Sequence, residues 1–176
     1  MSKKIYNRII ELLFEMPSYK FHLREIARLA GVHPNSARST ALALKKEGIA
    51  IIEKKRHITE ISADMESKRF VRKKRAFNFE QIYNSGIVEH LLEIFNPSSI
   101  SVIGSYSRGE DIEKSDIDVI VTEPAKKPKK STDMGEFEEI LKRKIHIIAT
   151  DYKEMSNEFY INLINGTLLY GYLRKK

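Results

Sequence analysis

Along Asp116-Ile117-Asp118-Val119-Ile120-Val121, two carboxylates stand two residues apart at the head of a β-branched run. An extended strand sends every second side chain to the same face, so the two aspartates converge on one side of it. Upstream, the short apolar run Ile100–Ile103 meets Gly104-Ser105, and Tyr106-Ser107-Arg108-Gly109-Glu110 follows. That pattern reads as a strand turning sharply into a polar helical turn. The fifteen residues from Gly104 to Asp118 therefore predict two strands joined by a small-residue bend, with the acidic pair beside it.

Two carboxylates held close on one face repel each other and call for a cation, typically a hard ion such as Mg2+ that prefers oxygen ligands. A small-residue turn leading into helix presents free backbone N–H groups to phosphate. Together, a metal at Asp116 and Asp118 and a phosphate cradle at Gly104 and Ser105 point to nucleotide chemistry.

Read jointly, Gly104-Ser105, then Arg108-Gly109-Glu110, then Ser115-Asp116-Ile117-Asp118-Val119-Ile120-Val121, resemble the signature of polymerase-β-like nucleotidyltransferases. A lone D-x-D is more often a solvated strand edge. The glycine-serine turn and the arginine at its offset make the combined pattern far more specific. The resemblance implies an NTP on Gly104, Ser105 and Arg108, and Mg2+ or Mn2+ on Asp116 and Asp118. It also implies a third carboxylate on a later strand, which completes the metal cluster and orients or acts as the general base. The corresponding position is His146, in Lys144-Ile145-His146-Ile147-Ile148, with Ile145 and Ile147 expected to face the core. An imidazole there removes about one negative charge from the balance that two divalent ions need. It can take a proton near neutral pH, or ligate Mn2+ or another transition ion better than Mg2+.

Charge divides the chain. Residues 1–75 hold 18 Lys and Arg against 8 Asp and Glu, while residues 76–176 hold 13 against 16. A polyanion is the expected partner of the first part alone. There, Lys3–Glu15 predicts an amphipathic helix ended by Pro17, with Ile5, Ile9, Leu12, Leu13 and Met16 at helical spacing. Phe21–Gly31 predicts a short second helix, with Leu23, Ile26, Ala27 and Ala30 inward and Gly31 as its stop. A third helix opens at His33 or Pro34 and closes at Gly48, with His33 where a cap is usually Ser, Thr or Asp. Ile49–Glu53 and Ile58–Ile61 then read as a hairpin with Lys54, Lys55, Arg56 and His57 at its tip.

Three helices and a basic hairpin, over Leu23–Ile61, resemble a winged helix-turn-helix domain. That family places its third helix in the major groove of double-stranded DNA and flanks it with the hairpin. The exposed face expected here is Asn35, Ser36, Arg38, Ser39 and Lys45, short polar groups and cations suited to base edges and phosphates. Lys54, Lys55 and Arg56 would add phosphate contacts.

The stretch from Lys68 to Arg75 has six basic residues in eight positions and reads as a connecting helix, either flanking DNA or simply solvated. Helix continues to Phe95 with a break at Ser85-Gly86. Residues 124–133 read as a mobile, lysine-containing loop, followed by a short helix at Glu136–Lys142, the His146 strand, and a closing helix at Met155–Asn165 stopped by Gly166. The expected fold class is α+β. The expected domains are a winged helix-turn-helix at 1–64, a basic connector at 65–77, and a nucleotidyltransferase-like α/β domain with a mixed sheet at 78–176. The absence of cysteine excludes disulfides, Cys-based zinc sites and a thiol nucleophile. With no apolar run long enough to span a bilayer, a cytoplasmic protein without membrane contact is the expectation.

Three functions compete. The first is a DNA-binding regulator whose second domain transfers a nucleotidyl group to a hydroxyl; small members of the family are similar to proteins that modify an antibiotic, a partner toxin or a tyrosine. The second is a degenerate, nucleotide-sensing regulator. The third is an antitoxin-like protein that contacts another protein rather than DNA. A homodimer would suit a two-fold DNA site.

Overall fold

The computed structural model describes residues 2–56, 58–126 and 133–175. His57 of the expected hairpin tip, and Lys127, Lys129 and Lys130 of the expected loop, lie outside them. The chain divides into two compact units, Met1–Lys74 and Arg75–Lys176.

The first unit runs α1 (Lys3–Glu15), β1 (Phe21–His22), α2 (Leu23–Leu29), α3 (Pro34–Lys46), β2 (Ala50–Lys55) and β3 (Ile58–Ala63). α1 turns Ile9, Ile10, Leu13 and Phe14 inward. They meet Phe21, Ile26, Leu44, Ile49, Ile61 and Phe70 in the set of fully or nearly fully buried side chains. Each such aliphatic or aromatic side chain contributes about 1.5–3 kcal/mol by leaving water. Two sequence expectations are corrected here. The inward stripe of α1 is Ile9, Ile10, Leu13 and Phe14, because Ile5, Leu12 and Met16 are only half-buried. Phe21 and His22 are strand, not the start of α2: they pair antiparallel with Ile61 and Glu60, giving a sheet of order β1-β3-β2. A buried aromatic with a ladder partner outweighs local helix propensity.

His33 does cap α3, through Nδ1, which accepts from the Asn35 N–H at 3.3 Å. α1 is tied to the far end of α3 by the Tyr6 hydroxyl, which donates to Glu47 at 2.8 Å. Burial, reinforced by that bond, pushes the Tyr6 phenol up to about 12.

The expected connector is not a separate element. α4 (Lys68–Ser85) is one helix, and the division between the units falls within it, after Lys74. Nor are all six basic residues solvated: Lys74 is 1% exposed and its ammonium donates to the Phe14 carbonyl at 2.7 Å.

The second unit continues with α5 (Ile87–Phe95), β4 (Ser99–Ile103), α6 (Gly104–Arg108), β5 (Ile117–Thr122), α7 (Gly135–Leu141), β6 (Ile145–Thr150), α8 (Asn157–Ile164) and β7 (Thr167–Gly171). Its sheet has the order β6-β5-β4-β7 and is mixed, β5 and β6 being parallel and the other pairs antiparallel. Alternation along β5 sorts the two faces. Ile117, Val119 and Val121 join Ile82, Val88, Leu91 and Phe95 in one core. Ile120 packs on Tyr152, Met155 and Leu163 in another. Asp118 belongs to the second face, one alternate position before Ile120. Among the described residues no helix is long and apolar enough to cross a membrane.

Candidate active site

The sheet topology brings three expected residues to one end of the second unit. β4 leaves the sheet where β5 and β6 enter it, so Ile103 pairs with Asp118, and Asp118 with His146. Neighbouring register partners project from the same face. His146 Nδ1 accordingly lies 3.6 Å from Asp118 Oδ1 and 3.8 Å from Asp116 Oδ2. One imidazole nitrogen is thus flanked by both carboxylates. The side chains of Asp116, Asp118 and His146 are 42, 39 and 61% exposed, open enough for a ligand to reach.

The Gly104 turn stands against this group. Gly104 has φ +73°, and a Cβ there would lie 3.1 Å from Asp118 Oδ2. Only a residue without a side chain combines that backbone with that approach. Ser105 follows in α6, half-buried. Arg108 is exposed, and its Nε donates to Glu110 at 2.7 Å, so its guanidinium is engaged with a carboxylate of its own turn. Beside Asp116 a cleft of about 500 Å3 opens between the Glu113–Asp116 stretch and α7, lined also by Lys142 and Lys144.

The donor set, two carboxylates and an imidazole on one face, suits a divalent cation, and the nitrogen favours Mn2+ and its transition-metal neighbours over Mg2+. The distances of 3.6 and 3.8 Å exceed hydrogen-bond range. Among the described residues no three His, Cys, Asp or Glu side chains are already drawn together as a metal cage. Asp116 and Asp118 would hold the ion by closing around it, with His146 at its side.

Below this surface lies a polar cluster whose partners the sequence reading did not single out. Asp111, in the loop between α6 and β5, accepts from the Asn78 amide at 2.7 Å and lies 3.5 Å from Arg143 Nη2. Its side chain is 0% exposed and that of Arg143 6%. The Asn78 amide also donates to the Tyr106 carbonyl at 2.9 Å, and the Tyr106 hydroxyl donates to the Asn78 carbonyl at 3.3 Å. Burial first, and then the Asp111 charge, push the Tyr106 phenol well above its ordinary range. No spacing rule marks these residues, which are far apart in sequence; the one available signal was an aspartate, Asp111, directly after the turn.

In the first unit, Asn35, Arg38, Ser39 and Lys45 are exposed on α3 and Ser36 is half-buried. Leu42 shares the outer surface at 48% exposure, an apolar residue in an otherwise polar helix face. Lys54 and Lys55 are strand residues at the turn end of the β2–β3 hairpin. They close strand β2, opposite Thr59 and Ile58. Glu53 and Glu60 oppose each other across the same ladder, a like-charge pair that needs compensation. Lys55 supplies it, 2.8 Å from Glu60 and 3.7 Å from Glu53, and Lys20 sits 3.3 Å from Glu53. The Glu60 hydrogen bond raises the Lys55 ammonium above its ordinary value. Arg56 is exposed, with φ 47°.

Residues 85–169 match the family described as "Nucleotidyltransferase domain". The match contains the whole stretch from the Gly104 turn to His146, and places a nucleotidyltransferase-like domain in the second unit. Domains of this family generally use a nucleoside triphosphate and a divalent metal. No significant match was found among curated proteins or solved structures.

Proposed function

We propose that the second unit binds a nucleoside triphosphate with Mg2+ or Mn2+ and transfers its nucleotidyl group to a hydroxyl acceptor. The observation that carries this is the convergence of Asp116, Asp118 and His146 beside the Gly104 turn. Gly104 and Ser105 hold the β and γ phosphates, with Arg108 assisting once released from Glu110. Asp116 and Asp118 hold the ion, which supplies charge neutralisation at the α phosphate when bound. The acceptor oxygen forms a bond to the α phosphorus in line, the α–β bridging bond breaks, and pyrophosphate leaves. The acceptor proton passes to His146 or to solvent. NTP labelled at the α phosphate is the direct test: a labelled acceptor formed by the wild type and not by Asp116→Asn supports transfer, and a wild type that transfers no more than the variant refutes it.

The imidazole at the third position favours a second reading, in which the same site binds nucleotide as a signal and transfers nothing. NTP binding without labelled product would select it.

We further propose that the first unit is a winged helix-turn-helix that binds double-stranded DNA, as a regulator and, at a two-fold site, as a homodimer. What supports this is the order α1-β1-α2-α3-β2-β3 with its β1-β3-β2 sheet, the polar face of α3, and the cationic excess of this half. The DNA contacts are Asn35, Ser36, Arg38, Ser39, Lys45, Lys54 and Arg56, with Lys55 shared between phosphate and glutamate. DNA affinity that ignores salt would refute the reading, because released counterions make phosphate contacts salt-dependent.

A further inference from the structure

We propose that the buried Asp111–Arg143 pair is a positioning device, which holds the Asp116 end of the signature loop against the His146 end of β6. This rests on the reading of that site as a metal–nucleotide centre. The two ends meet in space but not in sequence. Asp116 ends the loop that contains Asp111, and His146 follows Arg143 by three residues. A buried side-chain charge pair joins those two lead-ins, 3.5 Å apart and nearly solvent-free.

Its surroundings make the tie directional. Asn78 of α4 donates to Asp111 at 2.7 Å and to the Tyr106 carbonyl of α6 at 2.9 Å, so one amide joins the signature loop to the helical turn that starts at Gly104. Arg143 Nη1 donates to the Lys142 carbonyl at 2.9 Å, which anchors the guanidinium to the backbone just before β6. Within the loop, the Ile112 N–H donates to Ser115 Oγ at 3.0 Å, directly before Asp116. The Ile117 N–H donates to the Lys144 carbonyl at 2.8 Å, where β5 and β6 begin to pair. Burying a carboxylate and a guanidinium is costly unless each is held in a narrow geometry by the other and by further hydrogen bonds. Such a pair transmits its geometry to what is attached. Outer-shell groups of this kind set ligand orientation, and losing one costs metal affinity without touching a ligand.

The test uses the full chain carrying Asp111→Asn, which keeps shape and removes charge, and Arg143→Lys, which keeps charge and removes the planar fork. The double variant Asp111→Asn/Arg143→Gln, which buries no charge, serves should either single variant fail to fold. Amide resonances of Asp116, Asp118 and His146 are compared without metal, and Mn2+ affinity is measured by electron paramagnetic resonance in the presence of NTP. Val88→Ala, in α5, is the control for loss of stability alone. Positioning predicts moved or broadened resonances at 116, 118 and 146 and Mn2+ binding weakened roughly tenfold or more in the pair variants, with neither change in Val88→Ala. Unchanged resonances and affinity in folded pair variants, or equal changes in Val88→Ala, would overturn it. A wild type that binds no Mn2+ overturns the metal–nucleotide reading instead, and the resonances then decide the positioning claim by themselves.

Discussion

His146 Nδ1 stands 3.6 Å from Oδ1 of Asp118, its register partner across the parallel β5–β6 pair. A carboxylate in place of this imidazole would put three negative groups on one face, which repel until a cation joins them. His146→Asp is therefore expected to melt at a lower temperature than the wild type without metal and to regain that loss when Mg2+ is added. Calorimetry with and without Mg2+ measures both. An unchanged apo melting temperature would mean that the three side chains do not share a field.

Gly104→Ala tests the closeness of the turn to the acidic pair. The left-handed backbone costs a residue with a side chain about 1–2 kcal/mol, and the new methyl would press on Asp118 Oδ2. Chemical denaturation should show a loss of that size, accompanied by weaker Mn2+ binding. Full retention of both would place the turn away from the site.

The alternating run after Asp116 and the Gly-Ser bend before it made the sheet end legible in the sequence, because periodicity of two and a glycine turn are local signals. Long-range pairing was not legible. Nothing near Phe21 announces that it meets Ile61. Six cations in eight residues look like a solvated helix until packing buries Lys74 against the Phe14 carbonyl. Lys54 and Lys55 read as turn residues rather than strand, because the ladder that extends β2 to Lys55 depends on partners in β3. Asp111, Asn78 and Arg143 meet only through the tertiary fold.

Glu138 accepts from the Lys144 ammonium at 2.6 Å and from the Ile145 N–H at 3.0 Å, joining α7 to the start of β6. The Lys144 bond first, and then the backbone bond, hold its carboxyl below the ordinary 4.5. A depressed folded value means stability that is present above the unfolded value and lost as pH falls through the folded one. Glu138→Gln should therefore flatten the acid limb of the stability profile as pH falls below the ordinary 4.5. Parallel profiles of variant and wild type, followed by circular dichroism melts, would show that the bonds do not favour the ionised form.

For the first unit, Arg38→Ala should lower DNA affinity unequally among sequences, as loss of a base contact does, while Lys54→Ala weakens all alike and reduces the log–log salt slope by about 0.9. Lys55→Ala should change the slope less, since Lys55 already faces Glu60 and Glu53. Equal slopes for the two lysine variants would contradict the shared role of Lys55.

The most direct measurement is an electron paramagnetic resonance titration of Mn2+ against the full chain, with and without NTP, for the wild type and for Asp116→Asn/Asp118→Asn. A saturable Mn2+ site that tightens with NTP in the wild type and disappears in the double variant is the expected result. Equal, weak binding by both proteins would contradict a metal–nucleotide centre at Asp116 and Asp118.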